Sequence, residues 1–334
     1  MSLELKTDIS EFSVEKELHE SAGKCLASIV ITTKNRRDEL QQALRSALSQ
    51  SISAEILVVD DGSTDGTAEM VQAEYPQVRL ERSEESLGCI VQRNRAARMA
   101  SGDFIFSIDD DAIFGSPHTV AQTIAEFTDP LIGAIAIPYT EPRKSQVIHQ
   151  KAPVDEGIFI TDDFIGTAHA LRRETFLDLG GYREELFHQG EEKDFCIRML
   201  EAGYLVRLGR ADLIHHMESP KRDFRRMDYY GRRNDILFIW QNAPLNYLLL
   251  HLVGTAINGL RSAAGISRRW TMIRGVAGGY LACLKLWNTR NPVCRRTYRL
   301  YRKLKKKGPL ELSLVTSQLA ASTRKSELKR NRTS

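Results

Sequence analysis

Stretches of β-branched and aliphatic residues alternate with amphipathic segments between residues 27 and 108. The predicted strands are Ala27–Thr33, Glu55–Val59, Val78–Leu80 and Phe104–Ile108. The predicted helices between them are residues 39–50, a segment through Met70 and Val71, and residues 94–100. Strands that alternate with helices in this way predict a parallel, doubly wound α/β sheet.

The strand Phe104–Ile108 runs directly into three carboxylates, Asp109, Asp110 and Asp111. The carboxyl ends of parallel strands are where open α/β sheets bind their ligands. Adjacent anions repel one another and lose hydration when they are partly buried, so the cluster needs either a solvated turn or a cation. Carboxylate oxygens suit hard divalent ions such as Mg²⁺ or Mn²⁺. From these residues alone, a metal site and an acidic surface turn are equally good interpretations.

The second predicted strand also ends in two acids, Asp60 and Asp61, which open a turn rich in Gly, Ser and Thr. These carboxylates could accept hydrogen bonds from a base or a ribose, or the segment could simply be favourable turn and helix-cap chemistry. The chain has no G-x-G-x-x-G after its first strand and no Walker lysine loop. That argues against dinucleotide oxidoreductases and P-loop NTPases.

The five cysteines are scattered and lack C-x-x-C spacing, which fits reduced thiols better than disulfides or a zinc site. The first twenty or so residues alternate charged and apolar side chains, so a signal peptide is not expected. No apolar run is long enough to span a bilayer. A cytoplasmic location is expected, either free or peripheral on the inner face of the membrane.

Taken together, several segments resemble the family 2 glycosyltransferases. Three of them lie at predicted strand ends, at residues 28–36 (SIVITTKNR), 58–67 (VVDDGSTDGT) and 102–111 (GDFIFSIDDD). The others are residues 166–176 with 180–182, 190–198 (GEEKDFCIR), 202–204 and 215–216. The segments follow the family's order at plausible distances, and the resemblance covers residues 27–240.

The resemblance implies the GT-A fold, a Rossmann-like α/β doubly wound mixed sheet, here with a helical, basic C-terminal appendage. The domain organisation it implies is an acidic extension over residues 1–26, a catalytic domain over 27–240, and a helical basic region over 241–334 whose end is expected to be disordered. It also implies a nucleotide-sugar donor, one divalent cation (Mn or Mg), and transfer with inversion at the anomeric carbon.

Roles for individual residues follow from the same resemblance. Its residues for nucleotide-sugar binding are Thr32, Asp60, Asp61, Arg93, Asn94 and Asp110. Its metal ligands are Asp109, Asp111 and His216, with His216 preferred over His215 because it matches better. The metal would bridge the diphosphate and neutralise charge on the leaving nucleotide. Arg232, Arg233 and Asn234 either approach the diphosphate or form a basic helix face.

An inverting reaction needs a base that takes the proton of the acceptor hydroxyl. The family has an Asp at this position, whereas the matching residue here is Glu192, whose side chain is one methylene longer. Glu192 is the preferred base, and Glu191 and Asp194 are the alternatives. All three could instead be a charged helix start that the helix dipole favours. Residues 136–165 match no motif, and Pro138, Pro142 and Pro153 predict loops there.

The net charge of +4 is unevenly distributed along the chain. From Lys285 onwards there are fifteen Lys or Arg against two Glu, so the local balance is 15 − 2 = +13 and the remainder carries 4 − 13 = −9. Residues 285–307 predict a basic amphipathic helix, which either lies on an anionic membrane surface or packs on the catalytic domain with its basic face in water. No nucleic-acid-binding module is recognisable, so nucleic acid is not an expected partner.

These features lead to two functional hypotheses. One is an inverting glycosyltransferase that acts on a glycan or lipid-linked acceptor in cell-surface polysaccharide synthesis. The other is a catalytically silent GT-A scaffold that binds nucleotide sugar or glycan within an assembly complex, which the replacement of Asp by Glu192 keeps open. A sugar nucleotidyltransferase would need a glycine-rich loop where this chain has Thr33–Arg36.

Overall fold

The computed structural model describes residues 25–219, 223–261 and 266–318. Nearly all of the predicted N-terminal extension, and the last part of the C-terminal region that was expected to be disordered, lie outside these residues. The described chain is organised around one large mixed sheet, a small second sheet, and a set of C-terminal helices.

The large sheet has nine strands in the order β13-β9-β11-β6-β10-β4-β1-β2-β3. Their bounds are β1 Ala27–Thr33, β2 Glu55–Asp60, β3 Arg79–Arg82, β4 Phe104–Asp109, β6 Ile132–Ala136, β9 Phe159–Thr161, β10 His169–Arg172, β11 Leu205–Leu208 and β13 Leu310–Glu311. Strands β1 to β4 are mutually parallel, as the alternating pattern predicts. Strands β1, β2 and β4 are also nearly continuous apolar runs, because both faces of a parallel sheet are covered there. Strand β3, at the edge of the sheet, is polar and partly exposed.

The sheet becomes mixed beyond β4. Strand β10 runs antiparallel to both β4 and β6, and β9 runs antiparallel to β11. The mixed sheet that the family resemblance implies is therefore confirmed. The alternation of strands and helices extends only to residue 108. The antiparallel strands come later in the sequence, where no such alternation is present.

A second sheet of four short strands has the order β5-β12-β7-β8. Their bounds are β5 Ala112–Phe114, β7 Tyr139–Glu141, β8 Ser145–His149 and β12 Ile214–His216. The prediction of loops throughout residues 136–165 is wrong at β7, β8 and β9. The prolines lie between these strands rather than within them, at positions where a missing N–H costs no ladder hydrogen bond.

Helices cover the two faces of the large sheet and continue into the C-terminal region. The first six are α1 Arg37–Leu48, α2 Thr67–Glu74, α3 Cys89–Met99, α4 Thr119–Ala125, α5 Arg173–Asp178 and α6 Glu191–Glu201. The last four are α7 Phe224–Asn242, α8 Leu245–Arg261, α9 Ile266–Lys285 and α10 Arg295–Lys307. Helix α3 begins at Cys89, earlier than the predicted residue 94, because its first turn is capped by backbone geometry at Gly88 rather than by a Ser, Thr or Asp.

Helix α9 packs very closely on α7 through three glycines, Gly275, Gly278 and Gly279. A Cβ added at Gly279 would lie 2.7 Å from Cβ of Ile236 and 2.8 Å from the carbonyl oxygen of Arg233. The small residues bring the two helix backbones together, so the opposite face of α9 is turned away from the domain.

Helix α10 buries its apolar face against the rest of the protein. Tyr298, Leu300, Tyr301 and Leu304 are all buried, and its lysines and arginines remain in water. The hypothesis that this helix lays its apolar face on a membrane is therefore wrong, and it packs on the domain instead. Within the described ranges, no helix is both long and apolar enough to cross a bilayer.

Candidate active site

The sequence-predicted acids and their neighbours surround one open cleft of about 700 Å³. It lies at the carboxyl ends of β1 and β4, where the ligands of doubly wound sheets bind. The first turns of α3, α6 and α7 and the loop around Gly166 complete its walls. Of the predicted site residues, those that line the cleft are Thr32, Asp61, Arg93, Asp109, Asp110, Asp111, Glu191, Glu192 and His216.

Asp109, Asp111 and His216 form one cluster although they come from β4, the turn after it, and β12. Each offers a ligand atom, and these atoms lie within 4.8 Å of one another. His216 Nε2 is 3.4 Å from Asp111 Oδ1. Burial would raise the pKa of Asp111, but bonds from His216 and the Ser219 amide outweigh it and hold the pKa below its ordinary value. Two carboxylates and one imidazole are a chemically suitable donor set for a divalent cation.

Asp110 has a different environment from the two acids beside it. Its carboxylate accepts hydrogen bonds from Thr33 Oγ1 at 2.8 Å and from Arg36 Nη1 at 2.7 Å. Burial raises the pKa of Asp110 to about 7, even though the charge of Arg36 opposes the shift. Asp110 therefore links the ends of β1 and β4, with both of its oxygens already engaged.

Arg36 is a site residue that the sequence analysis missed. It pairs with Asp110 and also lies 3.3 Å from Asp111 Oδ2, so it balances two of the three clustered charges. The signal was present in the sequence, because Arg36 follows the first strand by three residues and parallel strands bring their carboxyl ends to one edge.

Asp61 lies at the opposite side of the cleft and organises the loop that enters α3. Its carboxylate accepts hydrogen bonds from Ser86 Oγ at 2.5 Å, Leu87 N at 2.7 Å, Gly88 N at 3.0 Å and Gln92 Nε2 at 2.7 Å. Thr32, at the end of β1, lines the same side. Thr32 and Asp61 therefore both line the cleft, where one ligand could contact them.

Two residues predicted to bind the nucleotide do not reach the cleft. Asp60 is fully buried and accepts a hydrogen bond from Ser63 N at 3.0 Å, so it shapes the turn after β2. The Asn94 side chain donates a hydrogen bond to the carbonyl of Tyr182 and accepts one from its N–H, both at 2.8 Å. These bonds hold the turn at Tyr182 against α3. Their positions support a structural role, because each side chain forms a hydrogen bond with the backbone of a turn.

Arg93 connects the metal-type cluster to the acids at the start of α6. Its Nη2 lies 2.5 Å from Asp109 Oδ1, and its Nη1 lies 2.8 Å from Glu191 Oε1. Burial alone would lower the pKa of Arg93, but the charges of Asp109 and Glu191 outweigh it and hold the pKa well above its ordinary value. Arg93 is therefore a permanent cation at the centre of the cleft.

The three acids of α6 have three different environments. Glu191 is buried and bound to Arg93, and burial raises its pKa. Glu192 is half-buried and faces the cleft, where burial and the charge of Glu191 raise its pKa to about 8. Asp194 is buried away from the cleft and accepts bonds from Arg183 at 2.7 Å, Arg198 at 3.0 Å and Asn242 at 2.8 Å. Asp194 is thus a structural anchor and is poorly placed to be the base.

Gly166 makes room for this arrangement. A Cβ at this position would lie 2.6 Å from Glu192 Oε1 and 2.8 Å from Arg93 Nη1. Its loop is held by Gln150, whose side chain donates to the carbonyls of Ile137 and Ala168 at 2.9 Å and accepts from Ile165 N. Gln150 belongs to the segment that matched no motif, so sequence reasoning had no signal for it.

The edge of the cleft near His216 carries further polar residues that were not predicted. Glu141 and Glu218 also offer ligand atoms within 4.8 Å of His216, and Lys144 pairs with Glu218. His215, the less favoured histidine, points elsewhere and contacts Thr140 Oγ1 at 2.9 Å. Glu141 is on β7 and Glu218 directly follows β12, so the second sheet brings them together.

Arg232, Arg233 and Asn234 do not line the cleft. Asn234 donates hydrogen bonds to the carbonyls of Leu186, His188 and Gln189 at 2.7–2.9 Å, and Arg233 donates to the carbonyl of Glu185 at 3.0 Å. Arg233 and Asn234 thus hold the loop that precedes α6, and through it they position Glu191 and Glu192. Arg232 pairs with Asp235 instead.

The sequence is similar to that of known glycosyltransferases. Residues 28–180 match the family model described as Glycosyl transferase family 2. The chain is 29% identical over 196 residues to the succinoglycan biosynthesis protein ExoU of Rhizobium meliloti, covering 52% of this chain and 57% of that protein. It is 34% identical over 93 residues to the putative teichuronic acid biosynthesis glycosyltransferase TuaG of Bacillus subtilis, covering 26% and 36%. The chain thus spans less than two thirds of the length of these relatives.

Solved structures show the same architecture. The mannosyltransferase PcManGT from Pyrobaculum calidifontis, in complex with GDP-Man and Mn²⁺, matches with a TM-score of 0.54 at 20% identity, over 78% of this chain and 76% of that one. TarS 1-349 of S. aureus in complex with UDP matches with a TM-score of 0.55 at 18% identity, over 84% and 87%. At these identities the likeness concerns the fold, and the predicted GT-A fold with its mixed sheet is confirmed.

Proposed function

We propose that this chain, whose residues 28–180 match the model of the family 2 glycosyltransferases, transfers a sugar, with inversion, from a nucleotide-sugar donor to an acceptor hydroxyl. The proposed acceptor is a glycan or a lipid-linked glycan in the synthesis of a surface polysaccharide. Two relatives are named for succinoglycan and teichuronic acid biosynthesis, which supports this class of acceptor.

One observation carries the proposal: a candidate base and a candidate metal site face the same cleft. Arg93 joins them, with Asp109 on one side and Glu191, the neighbour of Glu192, on the other. A transferase that moves a sugar between two bound molecules needs this division into a donor side and an acceptor side. Holding both reactants in one geometry is itself a large part of catalysis.

On the donor side, Asp109, Asp111 and His216 would hold a divalent cation, with Mn²⁺ favoured over Mg²⁺ because one ligand is an imidazole. When bound, the cation would stabilise negative charge on the diphosphate leaving group. Arg36 and Lys144 line the same region and offer charge-assisted hydrogen bonds to phosphate oxygens. Thr32 and Asp61 form the wall for the nucleoside.

On the acceptor side, Glu192 would act as the general base. As the acceptor oxygen attacks the anomeric carbon, its proton passes to the Glu192 carboxylate and the bond from that carbon to the diphosphate oxygen breaks. Glu191 would be a positioning residue, because its carboxylate is bound to Arg93. Its charge raises the pKa of Glu192, which strengthens Glu192 as a proton acceptor.

A second candidate is the silent scaffold, which binds a nucleotide sugar without transferring it. The observation that favours it is the raised pKa of Glu192, about 8. A carboxyl with that pKa is mostly protonated at neutral pH and cannot accept a proton in that form. The longer side chain of Glu in place of the family's Asp also changes the reach of the base.

We expect one nucleotide sugar, from a panel with different bases and sugars, to be hydrolysed slowly in the presence of Mn²⁺ and not in EDTA. Donor hydrolysis needs no knowledge of the acceptor, since water can replace it. Binding of the same donor would be followed in parallel by thermal shift. Metal-dependent binding without turnover, even with glycan and lipid-linked acceptors supplied, would favour the scaffold, and no binding of any donor would refute the nucleotide-sugar proposal.

A further inference from the structure

Helices α8 and α9 present an unusual amount of apolar surface to solvent. Leu245 is 76% exposed, Leu249 75%, Leu284 72%, Trp287 71% and Trp270 64%. The remaining large apolar residues that are exposed on these helices are Leu250, Val253, Ile257, Ile273, Tyr280 and Leu281. Single exposed apolar residues are ordinary, but a contiguous group of this size marks an interaction surface. We refer to these residues together as the α8–α9 face.

The α8–α9 face is continuous across the two helices. On α9, Trp270, Ile273, Tyr280 and Leu284 are spaced by three, seven and four residues, so they lie on one side of the helix and form one stripe. The hydroxyl of Tyr280, on this stripe, donates to the carbonyl of Leu252 at 3.1 Å and so joins α9 to α8. The opposite sides of the helices are already used, since α9 packs on α7 through its glycines and α8 contacts α10 through Tyr247 and His251. The α8–α9 face therefore points away from the core.

The charged residues of the helices that carry this face are basic. Between Asp235 and Glu311 the sequence has no acidic residue. Arg299 donates to Tyr247 Oη at 2.9 Å and Arg302 contacts His251, which brings the basic residues of α10 to the edge of α8. Arg274 and Lys285 lie exposed on α9 among the apolar residues. The result is an apolar surface with a rim of cations.

We propose that the α8–α9 face docks on the surface of an anionic lipid bilayer, with both helices lying in the interfacial plane. Apolar side chains surrounded by Lys and Arg are the composition that binds such surfaces, by burial of apolar area and by attraction to anionic headgroups. Trp270 and Trp287 stand near opposite ends of α9, and indole rings favour the membrane–water interface. A second copy of this chain fits less well, because pairing two such faces would oppose two basic rims.

Docking in this way would bring the cleft to the membrane. Arg268 on α9 pairs with Asp228 on α7 at 2.8 Å, so the Trp270 end of α9 lies beside the start of α7. Arg226 and Met227, in that first part of α7, line the cleft. If the proposed sugar transfer is correct, an acceptor carried on a lipid would meet the cleft without leaving the bilayer. The docking itself does not depend on that activity.

Binding of the full chain to vesicles tests the proposal. We expect co-sedimentation with vesicles of phosphatidylcholine mixed with phosphatidylglycerol, weakening as salt is raised, and much less with phosphatidylcholine alone. The double variant Leu250→Gln/Leu284→Gln should lose at least about tenfold in partitioning, because two exposed leucines would no longer be removed from water on docking. The matched control Val147→Gln/Val154→Gln changes residues that are 57% and 55% exposed elsewhere and should bind like the wild type.

Tryptophan fluorescence supplies a second, independent readout. The chain has three tryptophans, of which Trp270 and Trp287 are on the α8–α9 face and Trp240 is half-buried elsewhere. Lipids brominated on their acyl chains should quench the wild-type emission and leave that of Trp270→Phe/Trp287→Phe unquenched. Equal vesicle binding by the leucine variant, no binding to anionic vesicles, or a dimer that the leucine variant dissociates would each overturn the proposal. None of these measurements uses a donor, so a failure of the proposed sugar transfer would be seen separately.

Discussion

Glu191 and Glu192 are adjacent in the chain but meet opposite conditions at the start of α6. Glu191 forms an ion pair with Arg93, whereas Glu192 lines the cleft. Burial and the adjacent charge of Glu191 raise the pKa of Glu192 to about 8, and a raised carboxyl pKa is how a site obtains a base that works near neutral pH. The pairing with Arg93 is therefore what makes the two glutamates chemically distinct.

We expect kcat/KM to rise with pH and to level off above about pH 8, because Glu192 must be deprotonated to accept a proton and its pKa lies at about 8. Glu192→Gln should lose roughly a hundredfold or more in activity while still binding the donor. Both are measured by steady-state kinetics and by titration calorimetry with the donor.

Glu191→Gln is the matched variant for this profile. It removes the neighbouring negative charge and releases Arg93 from a partner, and both changes lower the pKa of Glu192. The midpoint of its pH profile should therefore move to lower pH. An unchanged midpoint, or full activity in Glu192→Gln, would show that Glu192 is not the base.

At the scale of elements, a strand could be predicted from the sequence only where its pattern repeats over enough residues. Strands β1, β2 and β4 were readable because they are apolar runs separated by amphipathic segments, and β2 and β4 lead directly into carboxylates. Strands β7 to β9 were not, since each has only three to five residues and too few alternations to stand out.

The candidate site divides in the same way. Asp109, Asp111 and His216 were predicted from motifs and are brought together by β4 and β12. Arg36, Gln150 and Asn234 have roles that depend on partners distant in the sequence, which only the fold brings to them. Asp60, Asn94 and Asp194 belong to the motifs but have structural roles. Asp60 and Asn94 form hydrogen bonds with backbone groups, and Asp194 accepts one from Arg183. Sequence type alone does not distinguish these uses.

The contact between α7 and α9 gives a prediction about stability. Gly279→Ala should lower the free energy of unfolding by about 1–3 kcal/mol, because the new Cβ would meet Ile236 and the backbone of Arg233 at less than 3 Å. Gly254→Ala, in the middle of α8, is the control: nothing lies within 4 Å of its Cβ. It should raise the free energy of unfolding by about 0.5–1 kcal/mol. Urea denaturation measures both, and equal effects would argue against close packing of α9.

At the scale of the whole molecule, the cleft is an electrostatic balance that a ligand must rearrange. The cleft carries two sets of charged side chains. The acids are Asp109, Asp110, Asp111, the two glutamates of α6 and the acids near His216, and the cations are Arg36, Arg93 and Lys144. The arginines already neutralise the carboxylates that would hold a cation. A cation that binds alone must therefore compete with them, and a diphosphate that binds alone adds charge to an acidic cleft.

This balance predicts that metal and nucleotide bind cooperatively. When both are present, Arg36 can exchange a carboxylate for a phosphate oxygen, and the cation can take its place beside Asp111. We expect the rise in Tm with Mn²⁺ and a nucleoside diphosphate together to exceed the sum of the two separate rises. By linkage, each should raise the affinity for the other by the same factor in calorimetry.

Asp111→Asn should abolish this coupling while leaving the weak binding of nucleotide without metal. Asp178→Asn, at the exposed end of α5, removes a charge of the same type far from the cleft and should keep the coupling intact. Additive shifts in the wild type would mean that the arginines do not exchange partners and that the cation, if it binds, does so independently of the donor. Coupling that survives in Asp111→Asn would instead assign the cation to the neighbouring group of Glu141, His216 and Glu218, whose ligand atoms also lie within 4.8 Å of one another.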